Sequence, residues 1–229
     1  MLTLLLLVLF RNFLKDKAAR WMTRIKNLKV ARAVIFIIVP VLFPLLLTSA
    51  VFAQKKDLSY KVIQNNKNIG WIKLQKIDTG SSSHIQLNSE VRKRMLFLIS
   101  VSEKQEVSFQ NGLMMKSSIF RKVNEEVKTN KHTFYSGTFY QVKDQQTSEK
   151  IMINRIMYNQ LSLYFKEPVN IKHVYSDNYQ RLLEIENKGN SSYMIRLPDG
   201  NNNYYYYTNG VCSRIRLEHR LFTIEFIKV

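Results

Sequence analysis

From residue 58 onward apolar and polar residues alternate with period two, the pattern of strands that bury one face. Leu58, Tyr60 and Val62 alternate with Ser59 and Lys61; the polar turn Asn65 to Asn68 follows, and Ile69 to Asp78 returns as the second arm of a hairpin. Beyond the turn Thr79 to Ser83, the residues Ile85, Leu87, Val91, Met95, Phe97, Ile99 and Val101 all hold odd positions, which fits one long bent strand or two consecutive strands. At Asn111-Gly112 a two-residue loop would oppose Val107 to Lys116, mixing apolar with polar partners. A three-residue loop with a left-handed Gly112 instead pairs Phe109 with Leu113 and Val107 with Met115, so a glycine bulge is expected there, with Phe109 and Met115 inward.

Further strands are expected at Ser117 to Val123, Val127 to Tyr135 and Thr138 to Lys143, and Gln145 to Glu149 reads as a loop. Helical spacing competes only within Ile151 to Phe165, giving a short helix near 158–164 that ends before Pro168. Strands then recur at Asn170 to Tyr175, Tyr179 to Glu186, Tyr193 to Leu197, Tyr204 to Thr208, Val211 to Glu218 and Leu221 to Val229. Leu197-Pro198-Asp199-Gly200 supplies a tight turn. The expected class is all-β, an antiparallel meander of roughly eleven strands forming a strongly curved sheet or open half-barrel.

The first 53 residues follow another rule. The apolar run Ala33 to Ala53 comes after Arg24, Lys26, Lys29 and Arg32 and closes with Val51-Phe52-Ala53 ahead of Gln54-Lys55-Lys56-Asp57, the layout of an export signal cleaved after Ala53. An uncleaved anchor is the alternative, which Pro40 and Pro44 disfavour by interrupting the helix. Met1 to Phe10 is a separate apolar run, too short to span a bilayer. It divides the chain into an upstream extension 1–21, a signal peptide 22–53 starting at Met22, and one β-rich domain 54–229; an amphipathic lead-in on the membrane surface is the other reading of 1–21. The expected location is the periplasm or envelope of a Gram-negative bacterium, with membrane contact through the uncleaved leader only.

Charge means less once the leader is set aside. The formal net charge of +18 falls to about +11 after Ala53, where 27 basic residues face 16 acidic ones. The charges are spread singly, with only Arg92-Lys93-Arg94 bunched, so a solvated outer face is favoured over a dedicated binding patch, and an exported protein is not expected to meet a nucleic-acid partner. Cys212 is the single cysteine, which excludes an intrachain disulfide and leaves stability to the core; it reads as a small strand residue more readily than as a reactive thiol or an intermolecular bridge.

Five stretches, Tyr60-Lys61-Val62 with Ile69-Gly70, Phe109 to Gly112, Leu163 to Pro168, Leu197 to Gly200 and Gly210-Val211-Cys212, together resemble an uncharacterised family of exported bacterial β-rich proteins, known only as a domain of unknown function. The resemblance covers Leu58 to Val229 and implies an envelope location with no assigned activity. More remotely, a short helix against a long meander looks like the half-barrel carriers of lipoproteins and lipids in the periplasm.

Catalytic signals are sparse. His84, His132, His173 and His219 are scattered without a second cysteine, so no metal or other cofactor is expected, and no nucleophile elbow or phosphate-cradling loop occurs. Glu184 and Glu186 share a strand face and imitate a glycosidase pair, but alternation sets them opposite Leu183 and Ile185 on the wet side. Tyr204 to Tyr207 present two rings to each face, for stacking on sugars or lipid interfaces or simply for packing. The methionines, Met114 and Met157 among them, admit core packing or an adaptable binding surface.

Two functions remain open at this level. One is non-enzymatic binding of a hydrophobic or lipid-like ligand in the concave face, with Trp71, Phe97, Phe109, Tyr164, Phe165, Tyr204 and Tyr206 as candidate ligand-binding residues and the 158–165 segment as plug or lid. The other is a structural or protein-interaction module of the envelope, with a filled core and an envelope protein as partner. An envelope hydrolase ranks third.

Overall fold

The computed structural model describes residues 53–94, 98–144, 147–151 and 155–229, all within one compact unit that spans Val51–Val229. The proposed extension 1–21, nearly all of the proposed leader 22–53, and Met95, Phe97 and Met152 lie outside the described residues.

Among the described residues fourteen strands run in chain order. They are β1 (Gln54–Gln64), β2 (Lys67–Thr79), β3 (Ser82–Arg94), β4 (Leu98–Gln110), β5 (Leu113–Val123), β6 (Glu126–Tyr135) and β7 (Tyr140–Asp144), then β8 (Thr147–Ile151), β9 (His173–Ser176), β10 (Arg181–Gly189), β11 (Ser192–Arg196), β12 (Asn202–Thr208), β13 (Val211–His219) and β14 (Phe222–Lys228). Every pairing between strands is antiparallel, and the spatial order is β8-β7-β6-β5-β4-β3-β2-β1-β14-β13-β12-β11-β10-β9. Two meanders are thus sewn into one sheet where β1 meets β14, with Tyr60 opposite Lys228 and Val62 opposite Phe226.

The alternation did its work face by face. Tyr60, Val62, Ile72, Leu74, Ile85, Leu87 and Val107 are buried, while Lys61, Lys73 and Arg214 between such residues are exposed. The class matches the expectation, and the count exceeds eleven for local reasons. The odd-numbered run from Ile85 to Val101 belongs to two strands, with Val91 opposite Val101. The polar stretch read as a loop at Gln145 to Glu149 contributes to β8, because backbone pairing with β7 needs no apolar side chain.

The β4–β5 turn departs from the expected register. Asn111 and Gly112 both have positive φ, 50° and 73°, as a two-residue primed turn requires, so Gln110 faces Leu113. The irregularity falls further along, where Phe109 pairs with Met114 but Ser108 with Lys116. The extra residue is Met115, which is 39% exposed instead of inward, whereas Phe109 is buried as expected.

β8 and β9 lie at opposite edges of the sheet, and the described residues between them, from Arg155 on, pass through the interior. Ile156, Asn159, Leu161 and Leu163 on this crossing are 0–1% exposed. Its single helical turn, α1 (Ser162–Phe165), starts later than the expected Tyr158. Tyr158 to Gln160 are instead held against β9: Tyr175 donates its backbone N–H to the Tyr158 carbonyl (2.8 Å), and Gln160 donates to that of Tyr175 (3.0 Å). Lys166 then goes extended ahead of Pro168. Tyr207 Oη donates to the Leu163 carbonyl at 2.9 Å and Tyr140 Oη to that of Met114 at 2.8 Å, so side chains from both meanders secure the crossing and its seat.

Candidate functional site

Inner faces of β2–β5 and β12–β14 meet the crossing segment around a cavity of about 300 Å³. Its floor is Leu161 and Tyr164 of the crossing; the Tyr164 ring stands edge-on to Tyr60, with centroids 5.4 Å apart at 75°. Burial drives the Tyr164 hydroxyl well above an ordinary phenol, and the neighbouring Tyr205, Tyr60, Cys212 and Glu103 add to this, so it remains a neutral phenol. Apolar walls come from Ile72, Leu87 and Val91 on one side and Ile215, Leu217 and Phe226 on the other.

The β4–β5 side is polar. Because Met115 is bulged out, Glu103 stands directly across from Arg121, and both side chains enter the cavity. Arg121 Nε donates to Glu103 Oε2 at 2.5 Å, Gln105 Nε2 donates to Glu103 Oε1 at 2.5 Å, and Arg121 Nη1 donates to Asn178 Oδ1 at 3.3 Å. This is a hydrogen-bonded chain of four side chains, Gln105-Glu103-Arg121-Asn178, lying along one wall. Glu103 is 14% exposed and Arg121 30%, so the pair is screened from bulk water yet reachable from it.

A second recess of about 390 Å³ borders α1 through Ser162 and Phe165 and reaches the serine-rich β2–β3 turn. Phe109 also lines it, as do Lys76 and Lys166. Tyr158 closes one side, and burial pushes its hydroxyl up to about 12.

The candidate residues therefore separate into three groups. Tyr164 lines the cavity, Phe109 and Phe165 line the second recess, and Trp71, Tyr204 and Tyr206 belong to the outer face. On that outer face Lys73 lies 5.1 Å from the Trp71 ring and Arg214 lies 4.2 Å from the Tyr206 ring. Phe97 is outside the described residues. Within the tyrosine run it is Tyr205 that reaches the cavity and Tyr207 that anchors the crossing. Glu103, Gln105 and Arg121 went unrecognised in the sequence, although the odd-numbered pattern of Ile85 to Val101 leads straight on to 103 and 105.

Glu184 and Glu186 are exposed opposite the buried Leu183 and Ile185, as alternation required. Among the described residues no cluster of three His, Cys, Asp or Glu side chains is arranged to hold a metal ion. Cys212 is buried and free, and burial lifts its thiol to about 12.

Residues 60–229 match the family described as domain of unknown function DUF6134. A solved structure from Brucella abortus, described as a beta-barrel-like protein of domain of unknown function DUF1849, is similar at a TM-score of 0.46 and 10% identity. That similarity covers 79% of this chain and 98% of that one. Among curated proteins none matches.

Proposed function

The chain belongs to the DUF6134 family, which carries no assigned activity, and from the cavity we propose that it is an exported envelope protein that binds a hydrophobic or lipid-like ligand without transforming it. The observation that carries this reading is the half-open cavity of about 300 Å³ on the inner side of the sheet, apolar on two walls and polar on a third. That volume stands at the lower end of small-molecule sites, roughly 300–1,000 Å³, and suits a single acyl chain better than a two-chain lipid. Export is supported by the basic residues and apolar run that end at Ala53.

The test begins with the full-length chain expressed in a Gram-negative host, fractionated and sequenced from its N-terminus. A periplasmic or envelope product beginning at Gln54 is expected; an intact cytosolic chain would overturn export. Organic extracts of the purified protein are then analysed by mass spectrometry, and the stripped protein is titrated with a fluorescent apolar probe. A stoichiometric amphiphile and saturable probe binding are expected, with binding lost in Val91→Trp, which fills the cavity. Clean extracts together with no probe binding would leave the structural module, a reading favoured by the crossing segment that already fills much of the interior.

A further inference from the structure

The cavity's polar wall has a property that its apolar walls do not reveal: its charges cancel. Glu103 and Arg121 face each other across adjacent strands and share a 2.5 Å charge-assisted hydrogen bond. The other polar groups joined to them, the side-chain amides of Gln105 and Asn178, are neutral. Lys131 is turned to the backbone carbonyl of Asn178 at 3.0 Å and to Asp144 at 3.5 Å. A ligand entering here meets donors and acceptors but no uncompensated charge.

Arg121 uses two of its five N–H donors in the bonds above, and its remaining donors belong to a side chain that lines the cavity. An ether, ester, amide or hydroxyl oxygen would satisfy them. A carboxylate or phosphate would instead bring a net negative charge next to the Glu103 carboxylate in a space partly screened from bulk water, and nothing on the wall balances it.

We propose that the cavity selects single-chain amphiphiles with an uncharged, hydrogen-bonding head, such as a monoacylglycerol, and rejects fatty-acid anions of equal length. The head lies on Gln105, Arg121 and Asn178, and the chain runs over Tyr164 toward Ile215 and Phe226. The inference rests on the ligand-binding reading above and adds the head-group class to it. It also identifies Glu103 as the residue that sets selectivity, through the charge it cancels.

The experiment compares monodecanoylglycerol with decanoate, each displacing a fluorescent apolar probe from the purified exported protein near neutral pH. Monodecanoylglycerol is expected to bind about tenfold tighter. In Glu103→Gln the amide keeps the shape and the acceptor for Arg121 but leaves the guanidinium uncompensated, so the preference is expected to reverse toward decanoate. Equal or tighter binding of decanoate by the wild-type protein overturns the head-group assignment while leaving the ligand-binding reading intact. Displacement by neither compound from a protein that binds the probe overturns the head-group assignment alone, whereas no binding of the probe overturns both. A folded Glu103→Gln protein with unchanged preference removes Glu103 from its role; should that variant fail to fold, the wild-type comparison decides alone.

Discussion

Asn159 Nδ2 donates to Asp177 Oδ2 at 2.7 Å, tying the segment that crosses the interior to the turn between β9 and β10. Ser117 on β5 donates to the other carboxyl oxygen, Oδ1, so one buried acid joins three parts of the chain. The Asn159 side chain also accepts from the Leu161 N–H at 2.9 Å, which sets the start of α1 and hence the cavity floor.

Burial lifts the Asp177 carboxyl from 3.8 to about 6, against the opposing effect of the Ser117 and Asn159 hydrogen bonds. A folded-state value above the unfolded one means that the contribution of Asp177 is fully present below about pH 4 and is lost as pH rises through about 6. Asp177→Asn keeps an acceptor for Asn159 and gives Ser117 a donor in place of an acceptor, so it is expected to remove this dependence. Relative to wild type it should gain up to about 3 kcal/mol above neutral pH and little near pH 4. Denaturant unfolding across that range checks this, and a constant difference between the two proteins would refute it. Glu106, whose carboxyl is held down by its hydrogen bond from Lys104, acts with the opposite slope at lower pH in both proteins and cancels in the comparison.

Tyr140 is fully buried, and its hydroxyl serves two backbone groups, donating to the Met114 carbonyl at 2.8 Å and accepting from the Ile156 N–H at 3.2 Å. Tyr140→Phe leaves both without that partner. A loss of about 1–3 kcal/mol in denaturant unfolding is expected. Tyr206→Phe, on the outer face, is expected to change stability by less than about 0.5 kcal/mol. Similar losses in the two variants would show that the crossing is not pinned through Tyr140.

Much of the fold was readable because one physical rule, alternation, acts alone on a one-sided sheet. Ile215 and Leu217 turn inward while Arg214 and Arg216 turn out, as their spacing requires. The site was harder to read because it depends on register. Placing a bulge at Gly112 would set Phe109 against Leu113 and carry Glu103 opposite Ile119; the actual bulge at Met115 sets it opposite Arg121 instead. Nothing in the local sequence distinguishes these, since the choice is made by which set of side chains, Ser117 and Ile119 here, fits the interior. Trp71, Tyr204 and Tyr206 attracted notice through aromatic size, which does not reveal a face; the smaller step of counting parity from Tyr207 or from Ile72 does.

Gly70 separates two kinds of glycine constraint. A Cβ there would lie 2.2 Å from the Glu90 carbonyl oxygen and 2.8 Å from the Val91 Cα, both backbone atoms of the neighbouring strand, so β2 and β3 must part to admit it. At Gly210, φ is 75° and nothing lies within 4 Å, so only the left-handed backbone resists a side chain. Gly70→Ala is expected to cost about 3 kcal/mol or more, and Gly210→Ala about 1–2 kcal/mol. Thermal unfolding of both variants tests the order, and a Gly70→Ala protein as stable as wild type would mean that the strands are not in this register.

Cys212 illustrates how burial sets chemistry. It sits beside the irregularity in the β12–β13 pairing, where Tyr207 faces it, and its carbonyl accepts the Tyr60 hydroxyl at 2.7 Å. Its thiol lies 3.5 Å from the Arg214 carbonyl in a fully buried position, and desolvation moves it from 9.0 to about 12. At neutral pH the reactive thiolate is then about a thousandfold scarcer than for an exposed cysteine, quite apart from the steric barrier. The native protein is therefore expected to resist a chromogenic disulfide reagent and to form no disulfide-linked dimer under oxidation, with one thiol titrating promptly once denaturant is added. Because reaction requires opening of the β12–β13 region, the native labelling rate should also rise in Tyr60→Phe, which releases the Cys212 carbonyl. Labelling of the native wild-type protein at the denatured rate would place this thiol at the surface and contradict the packing between Tyr60, Tyr207 and the inner face of β13.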